Sequence, residues 1–348
     1  MRCSRLFTIL SVFVLVLALQ SGAGAATSNG LPAGAISLGD GAHAFELKAE
    51  TPDWYTDELH QEVLDAGKRG VPVPEEAGSE FSSLAFTGIR PGAWMISPAW
   101  CTMNFVFGSE GGYHIGTAGH CSSVGEEVVM VALPGVLMNV GQTVRSYDNG
   151  IGEDFALIDI YDEMQEFVNP SMSYFAGPTG TEQPAIADVV VHSGHGLGIG
   201  TGGTPRAGVV TYVGPGDVEN GGGQGGEEEP GGNGGGNGGG NGGGNGGGNG
   251  GGNGKQCEKD PEKCDRASLL TALAPTGDTA YGWDGAANLG DSGSGVRDVT
   301  GTAAGNLTHL VVGLEYVPAF IVGTTAPYME QLAGMPIATA SLVPDPLW

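Results

Sequence analysis

A histidine, an aspartate and a serine, each in a short motif, could together carry out nucleophilic chemistry. His120 lies in Thr117–Cys121, Asp154 opens an apolar run, and Ser292 lies in the glycine-rich segment Gly290–Ser294. A serine hydroxyl is a weak nucleophile at neutral pH, so it needs an imidazole to take its proton and a carboxylate to orient that imidazole. The chain order His, Asp, Ser is one of the three orders known for this set. The sequence therefore predicts His120, Asp154 and Ser292 as a catalytic triad.

The turn around Ser292 predicts a second catalytic element. Glycines on both sides of Ser292 allow the backbone to turn tightly and to point the hydroxyl outward. The same turn would aim the backbone N–H groups of Gly290 and Ser292 at one point. Two such donors form an oxyanion hole, in which losing one donor costs roughly 2.7–4 kcal/mol of barrier. We therefore expect Gly290 and Ser292 to stabilise a developing oxyanion.

Asp154 is the carboxylate that we expect to orient His120. It precedes Phe155–Ile158, whose alternation would bury Phe155 on one side of a strand. A carboxylate at the mouth of such a strand is well placed to hold an imidazole. Asp159 falls on a different face and is the weaker candidate.

Most of the chain after about residue 90 has the pattern of short strands. Val, Ile, Phe and Tyr alternate there with turn residues, which favours antiparallel barrels or sandwiches over a parallel sheet. The predicted strands are Asn104–Phe107, Glu127–Leu133, Asp154–Ile160, Asp188–His192, Gly208–Val213, Leu310–Tyr316 and Ala319–Gly323. A short helix over 326–332 follows, with Thr325 as its cap and Gly334 just beyond its end.

The N-terminal part of the chain divides into a signal peptide and a leader. Residues 1–25 combine Arg2 and Arg5, the apolar run Leu6–Leu19 and a small-residue cleavage site, which is typical of a secretory signal peptide. Residues 26–89 form the leader, in which residues 53–69 are predicted as one helix. The leader is either a pro-region that is removed or an extension that packs permanently on the domain. The sequence leaves both alternatives open.

Composition limits the partners. The chain of 348 residues has a formal net charge of −26, so nucleic acid and anionic membranes are improbable partners. No second apolar run reaches membrane length. Four cysteines remain after the signal peptide, an even number that favours two disulfides in an oxidising, extracellular compartment. Their spacing does not favour zinc, and we expect neither a metal nor a cofactor.

A glycine-rich tract interrupts the strand pattern. From Gly221 to Gly254 the chain is mostly glycine, with an asparagine at every fourth position over much of its length. No apolar side chain there offsets the entropy of ordering glycine, so we predict disorder. Because Ser292 follows this tract, residues 214–266 are interpreted as an insertion in a surface hairpin rather than as a domain boundary.

The three motifs together resemble those of chymotrypsin-fold serine proteases, most closely the bacterial streptogrisin-like branch. The resemblance covers about residues 95–335 without the insertion and implies two antiparallel β-barrels with a short C-terminal helix, over a domain at 90–348. It also implies a Cys101–Cys121 disulfide beside His120, which leaves Cys257–Cys264 as the second pair. The setting of Arg206 resembles that of an arginine that pairs with the aspartate before the serine, here Asp291.

The family pattern also indicates where a specificity pocket would lie. Its floor would be near Ala286 and one wall near Leu314, Glu315 and Tyr316. Since Ala286 is not an aspartate, a preference for Lys or Arg is disfavoured. The bulky or charged wall residues depart from the family's small segment, so the pocket shape is not defined by the resemblance.

The resemblance implies a secreted, monomeric serine endopeptidase that acts on proteins or peptides through an acyl-enzyme, without a cofactor. The alternative is a non-catalytic binding or matrix protein on a protease scaffold, because a fold does not guarantee its chemistry. The isolated pair His192 and His195 indicates no metal site, because no third ligand accompanies it.

Overall fold

The computed structural model describes most of the chain outside its N-terminus and its glycine-rich tract. The described residues are 35–39, 42–78, 88–109, 112–196, 204–214, 279–312 and 319–342. The chain divides into two compact units, Met1–Ala33 and Gly34–Trp348, and every described residue lies in the second. The predicted signal peptide, the Cys257–Cys264 pair, residues 215–266 of the predicted insertion and the wall residues Leu314, Glu315 and Tyr316 lie outside the described residues.

The first sheet contains eight strands in the described part of the chain. Seven are hydrogen-bonded in the order β5-β4-β8-β9-β10-β7-β6, and β3 pairs with β9. They are β3 (Val71–Pro72), β4 (Trp94–Ile96), β5 (Trp100–Thr102), β6 (Val106–Phe107), β7 (His114–Thr117), β8 (Glu127–Leu133), β9 (Val136–Asp148) and β10 (Asp154–Ile160). Every pairing is antiparallel.

The second sheet contains ten strands in the described ranges, in the order β1-β2-β17-β18-β14-β13-β12-β15-β16-β11. They are β1 (Ile36–Gly39), β2 (Ala42–Glu46), β11 (Gly180–Thr181), β12 (Val189–Gly194), β13 (Thr204–Val213), β14 (Ala280–Asp284), β15 (Gly295–Asp298), β16 (Thr302–Asn306), β17 (His309–Val312) and β18 (Phe320–Thr324). All neighbours are antiparallel except β11 and β16. The predicted all-β architecture of two antiparallel β-barrels is confirmed, with the strands in two curled sheets.

Few helices accompany the sheets. The two α-helices of the described ranges are α1 (Asp57–Ala66) and α2 (Ala326–Ala333). Short 3₁₀ turns cover Gly67–Arg69, Glu75–Ala77, Gly119–Cys121 and Asp162–Phe167. The predicted C-terminal helix is confirmed, with Thr325 as N-cap and Gly334 in the left-handed region.

The leader helix is shorter than predicted. The sequence pattern predicts it from residue 53, but α1 begins after Thr56, whose Oγ1 accepts a hydrogen bond from the N–H of Leu59 at 3.2 Å. Residues before Thr56 form a turn instead, in which Tyr55 N–H donates to Pro52 O at 2.8 Å. Local capping by a threonine therefore decided the start of the helix.

Several strand bounds also differ from the sequence pattern. Asn104 is not in a strand, because its Oδ1 accepts the N–H of the next residue, Phe105, at 2.8 Å, which leaves β6 only two residues long. β13 begins at Thr204, four residues before the predicted Gly208. The 13-residue β9 was not predicted at all. The strands Glu127–Leu133 and Asp154–Ile160 have the predicted bounds.

Each sheet surrounds its own apolar core. In the first sheet Met95, Met130 and Ile158 belong to one fully buried cluster. In the second sheet Trp283 and Ile321 belong to another. The described elements contain no helix that is long and apolar enough to cross a membrane.

The leader packs on both sheets. β2 pairs with β17 in the second sheet, whereas β3 pairs with β9 in the first. Val63 of α1 is fully buried in a cluster that includes Trp94 and Trp100 of the first sheet. The chain therefore passes from the second sheet to the first between β2 and α1.

Candidate active site

His120 lies in the 3₁₀ turn Gly119–Cys121, directly after the end of β7. Gly119 is needed at this point, because a Cβ atom there would lie 1.9 Å from the carbonyl oxygen of Tyr147. A disulfide joins Cys121 to Cys101 of β5, with a Cα–Cα distance of 6.2 Å. The turn that carries His120 is thereby held against β5 and β9.

Asp154 is the first residue of β10 and is completely buried. Its Oδ2 lies 2.6 Å from His120 Nδ1, and its Oδ1 accepts the backbone N–H groups of Gly119 at 2.5 Å and His120 at 3.1 Å. Residues of the second sheet hold its backbone: Asn306 Nδ2 donates to Asp154 O at 3.0 Å, and Asp154 N–H donates to Thr324 Oγ1 at 3.1 Å. The carboxylate therefore fixes the orientation of the ring.

Ser292 completes the chain of hydrogen bonds. Its Oγ lies 2.7 Å from His120 Nε2. Because Nδ1 of the ring faces the carboxylate and donates to it, Nε2 is free to accept the proton of the serine hydroxyl. The backbone carbonyl oxygen of Thr308 lies 3.1 Å from the same Oγ and competes with Nε2 for its single proton. The structure thus brings together all three residues that the sequence pattern singled out.

The Ser292 turn depends on its glycines. Gly290 and Gly293 have φ of 98° and 91°, in the region that favours glycine. A Cβ atom on Gly293 would also lie 2.1 Å from the carbonyl oxygen of Thr102. The turn is tied to the first sheet, because Thr102 N–H donates to Ser292 O at 2.8 Å.

Charge and burial act in opposite directions on the triad. Burial lowers the pKa of His120, but the nearby charge of Asp154 and its hydrogen bond outweigh that effect, and the pKa is raised above its ordinary value. Burial likewise raises the pKa of Asp154, but the charge of His120 and its hydrogen bond hold that pKa below its usual range. The pair therefore favours an ionised aspartate whose charge would stabilise an imidazolium.

Asp291, next to the serine, is fully buried and forms an ion pair with Arg206 Nη1. Its carboxylate also accepts the N–H groups of Gly196 at 2.7 Å and Asn288 at 2.6 Å. Burial raises the pKa of Asp291, and the charge of Arg206 opposes that rise. The residues of the predicted ion pair are thus in contact and support the Ser292 turn from behind.

The predicted oxyanion donors converge on one atom. The N–H of Gly290 donates to the carbonyl oxygen of Leu47, and the N–H of Ser292 donates to the same oxygen at 3.3 Å. Leu47 was not singled out by the sequence pattern. A carbonyl that accepts from both donors occupies the place where an oxyanion would develop.

His309, which the sequence pattern did not single out either, lies beside the triad. It is buried, its Nδ1 lies 3.7 Å from Asp154 Oδ2, and its ring centroid lies 5.6 Å from that of His120. Burial lowers its pKa to about 4, although Asp154 opposes this. His309 is therefore a neutral wall of the site at physiological pH.

The remaining candidates do not form part of this hydrogen-bonded set. Ala286 is exposed, and its carbonyl oxygen lies 3.2 Å from His192 Nε2. Burial lowers the pKa of His192 and His195 to about 3, so both are neutral. Asp159 is more than half exposed and faces His114 at 3.2 Å.

Potential metal ligands among the described residues cluster at one place, where Cys101, His120 and Cys121 lie close together. Both sulfur atoms are bonded to each other, and the histidine holds Ser292 and Asp154. Thiolates are the form of cysteine that binds a metal, so this cluster does not fit one.

Comparison with known proteins identifies similar folds at low sequence identity. Neither a protein-family model nor a curated protein matches the sequence. Among solved structures, Thermobifida fusca protease A is 16% identical, with a TM-score of 0.42 over 73% of this chain and 98% of its own. A Cellulomonas bogoriensis chymotrypsin is 16% identical, with a TM-score of 0.41 over 73% and 98%. The Nocardiopsis protease NAPase is 16% identical, with a TM-score of 0.40 over 73% and 99%.

These structural neighbours are bacterial serine proteases of the chymotrypsin type. Their likeness concerns the arrangement of strands. The chemistry of this chain rests on its own side-chain contacts.

Proposed function

We propose that the protein is a secreted serine endopeptidase that hydrolyses peptide bonds with His120, Asp154 and Ser292. One observation carries this proposal: a continuous hydrogen-bonded chain runs from Asp154 through His120 to Ser292, and beside it two N–H groups point at one carbonyl oxygen. Nucleophile, base and orienting group are thus in contact, and the electrophilic stabiliser is next to them.

In this mechanism Ser292 Oγ attacks the carbonyl carbon of the substrate while His120 Nε2 takes the hydroxyl proton. The N–H groups of Gly290 and Ser292 stabilise the oxyanion, and Asp154 stabilises the imidazolium. His120 then gives its proton to the leaving amine, which breaks the carbon–nitrogen bond. A water molecule then attacks the serine ester while His120 takes a proton from it. His120 returns this proton to Ser292 Oγ as the ester bond breaks.

Other features support an extracellular enzyme. The signal-peptide pattern over residues 1–25 and the disulfide beside His120 both suit an oxidising compartment. The net charge of −26 disfavours nucleic acid as a partner. We expect the enzyme to act on peptides and proteins, and as a monomer.

A serine-directed phosphonate tests this function. We expect a covalent adduct on Ser292 and hydrolysis of unstructured protein substrates, and both should be lost in Ser292→Ala. Ser294→Ala is the matched control, because Ser294 lies in the same turn but its hydroxyl donates to Asp291 O at 2.7 Å. The adduct should persist in that variant.

If an accessible site yields no adduct on Ser292 and no hydrolysis, the alternative of a binding protein on a protease scaffold replaces this proposal.

A further inference from the structure

The segment Ala42–Ala49 of the leader lies across the triad as an extended strand. β2 pairs antiparallel with β17, with Glu46 opposite His309 and Phe45 opposite Leu310. At the next residue, Leu47 N–H donates to Thr308 O at 3.1 Å. The segment therefore adds a strand to an edge of the second sheet, which is how extended peptides commonly bind to proteins.

Beyond Leu47 the same segment contacts the first sheet. Ala49 and Trp100 exchange two backbone hydrogen bonds, each of 3.0 Å. Lys48 lies between Leu47 and Ala49 in the chain, and its Nζ donates to the carbonyl oxygen of His120 at 3.3 Å. The peptide bond between Leu47 and Lys48 is thus held from both sides, on the second sheet before it and on the first sheet after it.

The carbonyl of this bond is the one that accepts from both oxyanion donors, the N–H groups of Gly290 and Ser292. The same residue, Ser292, carries the hydroxyl that is hydrogen-bonded to His120. A substrate carbonyl in this position has its oxygen where negative charge will develop.

We propose that the bond between Leu47 and Lys48 is the first substrate of the protein, cut by its own Ser292 within the same chain. This inference rests on the proposed endopeptidase function. Ser292 Oγ forms an ester with the Leu47 carbonyl carbon, and the bond to Lys48 breaks as His120 delivers a proton to its nitrogen. Water then hydrolyses the ester, which gives a carboxylate on Leu47 and a new amino terminus at Lys48.

The cut divides the leader into two parts with different fates. The part that ends at Leu47 is held by strand pairing to β17, and its departure opens the cleft. The part that begins at Lys48 stays, because α1 buries Val63 against the first sheet and β3 pairs with β9. The part before the cut is thus a pro-region that is removed, and the part after it is an extension that packs permanently on the domain.

The new amino terminus is not needed to build the site. Asp291 already forms an ion pair with Arg206, and the Gly290 and Ser292 donors already converge on one oxygen while the chain is intact. The intact chain therefore has the geometry to cut itself, and the leader blocks the cleft only until it is cut.

The position of Leu47 also defines a substrate class. Its side chain is 2% exposed and belongs to the apolar cluster of the second sheet, which includes Leu307 and, partly buried, Ala287 and Leu310. Fully burying a leucine side chain contributes about 1.5–3 kcal/mol, whereas a charged side chain there would lack a partner. We therefore expect cleavage after leucine and other apolar residues of similar size.

The full chain tests this inference directly. Mass spectrometry and N-terminal sequencing of the purified protein should identify a polypeptide that starts at Lys48. The half-time of its appearance should be independent of protein concentration, as for a reaction within one chain. Ser292→Ala should remain uncut at this bond.

Two substitutions at the cut site sharpen the test. Leu47→Asp should slow the cut at least 100-fold, because a carboxylate would enter an apolar pocket, whereas Leu47→Met, which conserves apolar character and size, should still be cut. A synthetic peptide of residues 42–51 should be hydrolysed between its leucine and lysine by the cut enzyme, and its Leu→Asp counterpart should not.

The outcomes separate this inference from the proposed function. Leu47→Asp removes the apolar side chain that anchors the leader in the cleft, so we expect a leucine phosphonate to reach Ser292 in that variant. Suppose that Ser292 forms the adduct in this variant, but the parent chain yields no polypeptide that begins at Lys48 or is cut at another bond. That result overturns the inference and leaves the proposed endopeptidase function standing. No adduct in any chain overturns both. Conversion that slows on dilution would contradict a cut within one chain.

Discussion

The two turns that carry His120 and Ser292, the proposed base and nucleophile, are held by different forces. The His120 turn, on the first sheet, is held by a disulfide to β5 and by the carboxylate of Asp154. The Ser292 turn lies next to the second sheet, and no disulfide is among its described contacts. It depends on its glycines and on the buried ion pair between Arg206 and Asp291. The turn of His120 is thus held by a cross-link, and the turn of Ser292 by buried charge.

The difference follows from what each turn must do. His120 must keep one ring orientation, for which a cross-link and a carboxylate suffice. The Ser292 turn must point two N–H groups at one oxygen, which requires the left-handed φ of Gly290 and a fixed neighbour at Asp291. We therefore expect the two turns to fail differently when their supports are removed.

The largest expected effect concerns the carboxylate of the first turn. Asp154→Asn should lower kcat by about 10⁴-fold while the fold persists, because an amide favours the wrong tautomer of the imidazole. Peptide hydrolysis by the cut enzyme measures this loss. Asp159→Asn, in the same strand but largely exposed, is the matched control and should leave kcat unchanged.

The same variant should change the pH profile. Asp154 raises the pKa of His120, and protonated His120 cannot accept the serine proton, so kcat/KM should fall as the pH drops through a value above 6.5. Without the carboxylate, burial is the largest remaining influence on the pKa of His120, and the midpoint should shift to lower pH. An unshifted midpoint would contradict the electrostatic role assigned to Asp154.

The next effect concerns the buried charge behind Ser292. Arg206→Ala should destabilise the fold by about 3–5 kcal/mol at neutral pH, since it leaves a buried carboxylate without its cation. Denaturant unfolding measures this, and Arg206→Lys, which keeps the charge, should lose less. A stability equal to that of the parent would show that Arg206 does not support the turn.

The loss in Arg206→Ala should also depend on pH. Burial raises the folded-state pKa of Asp291 above its unfolded value, and removing Arg206 raises it further. Such a group loses its stabilising contribution as the pH rises through the folded pKa. The difference from the parent protein should therefore be smaller at pH 5 than at pH 8.

The smallest effect concerns the cross-link of the first turn. Cys101 and Cys121 are 20 residues apart, and on a chain-entropy basis their disulfide contributes about 3 kcal/mol. The double variant to alanine, or reduction of the parent, should lower the unfolding free energy by about that amount. If the unfolding free energy is unchanged in reductant, the disulfide does not stabilise the His120 turn, and the two turns do not differ in the way proposed.

Parts of the fold could be predicted from the sequence, and the reasons are local. β8 and β10 are long apolar runs between turn residues, and their bounds agree with the prediction. β9 was missed because polar residues such as Gln142 and Arg145 interrupt its pattern. β16 was missed because β-propensity depends on the strands alongside it, and β16 has only small or polar residues.

The site shows the same division. His120, Asp154 and Ser292 could be singled out because their residue types and flanking motifs are encoded next to each of them. Leu47 could not, because nothing in its own neighbourhood distinguishes it from other leucines. Its place opposite Thr308 and Gly290 depends on pairing between segments more than 200 residues apart in sequence.

The sequence by itself therefore singled out His120, Asp154 and Ser292 and gave their order along the chain. Only the tertiary structure decided that a leader strand crosses the cleft with the Leu47 carbonyl between the two oxyanion donors. The physical reason is that residue type and turn geometry are local properties. The meeting of Leu47 with Ser292 requires two sheets to fold, pack and leave one edge of β17 open to a further strand.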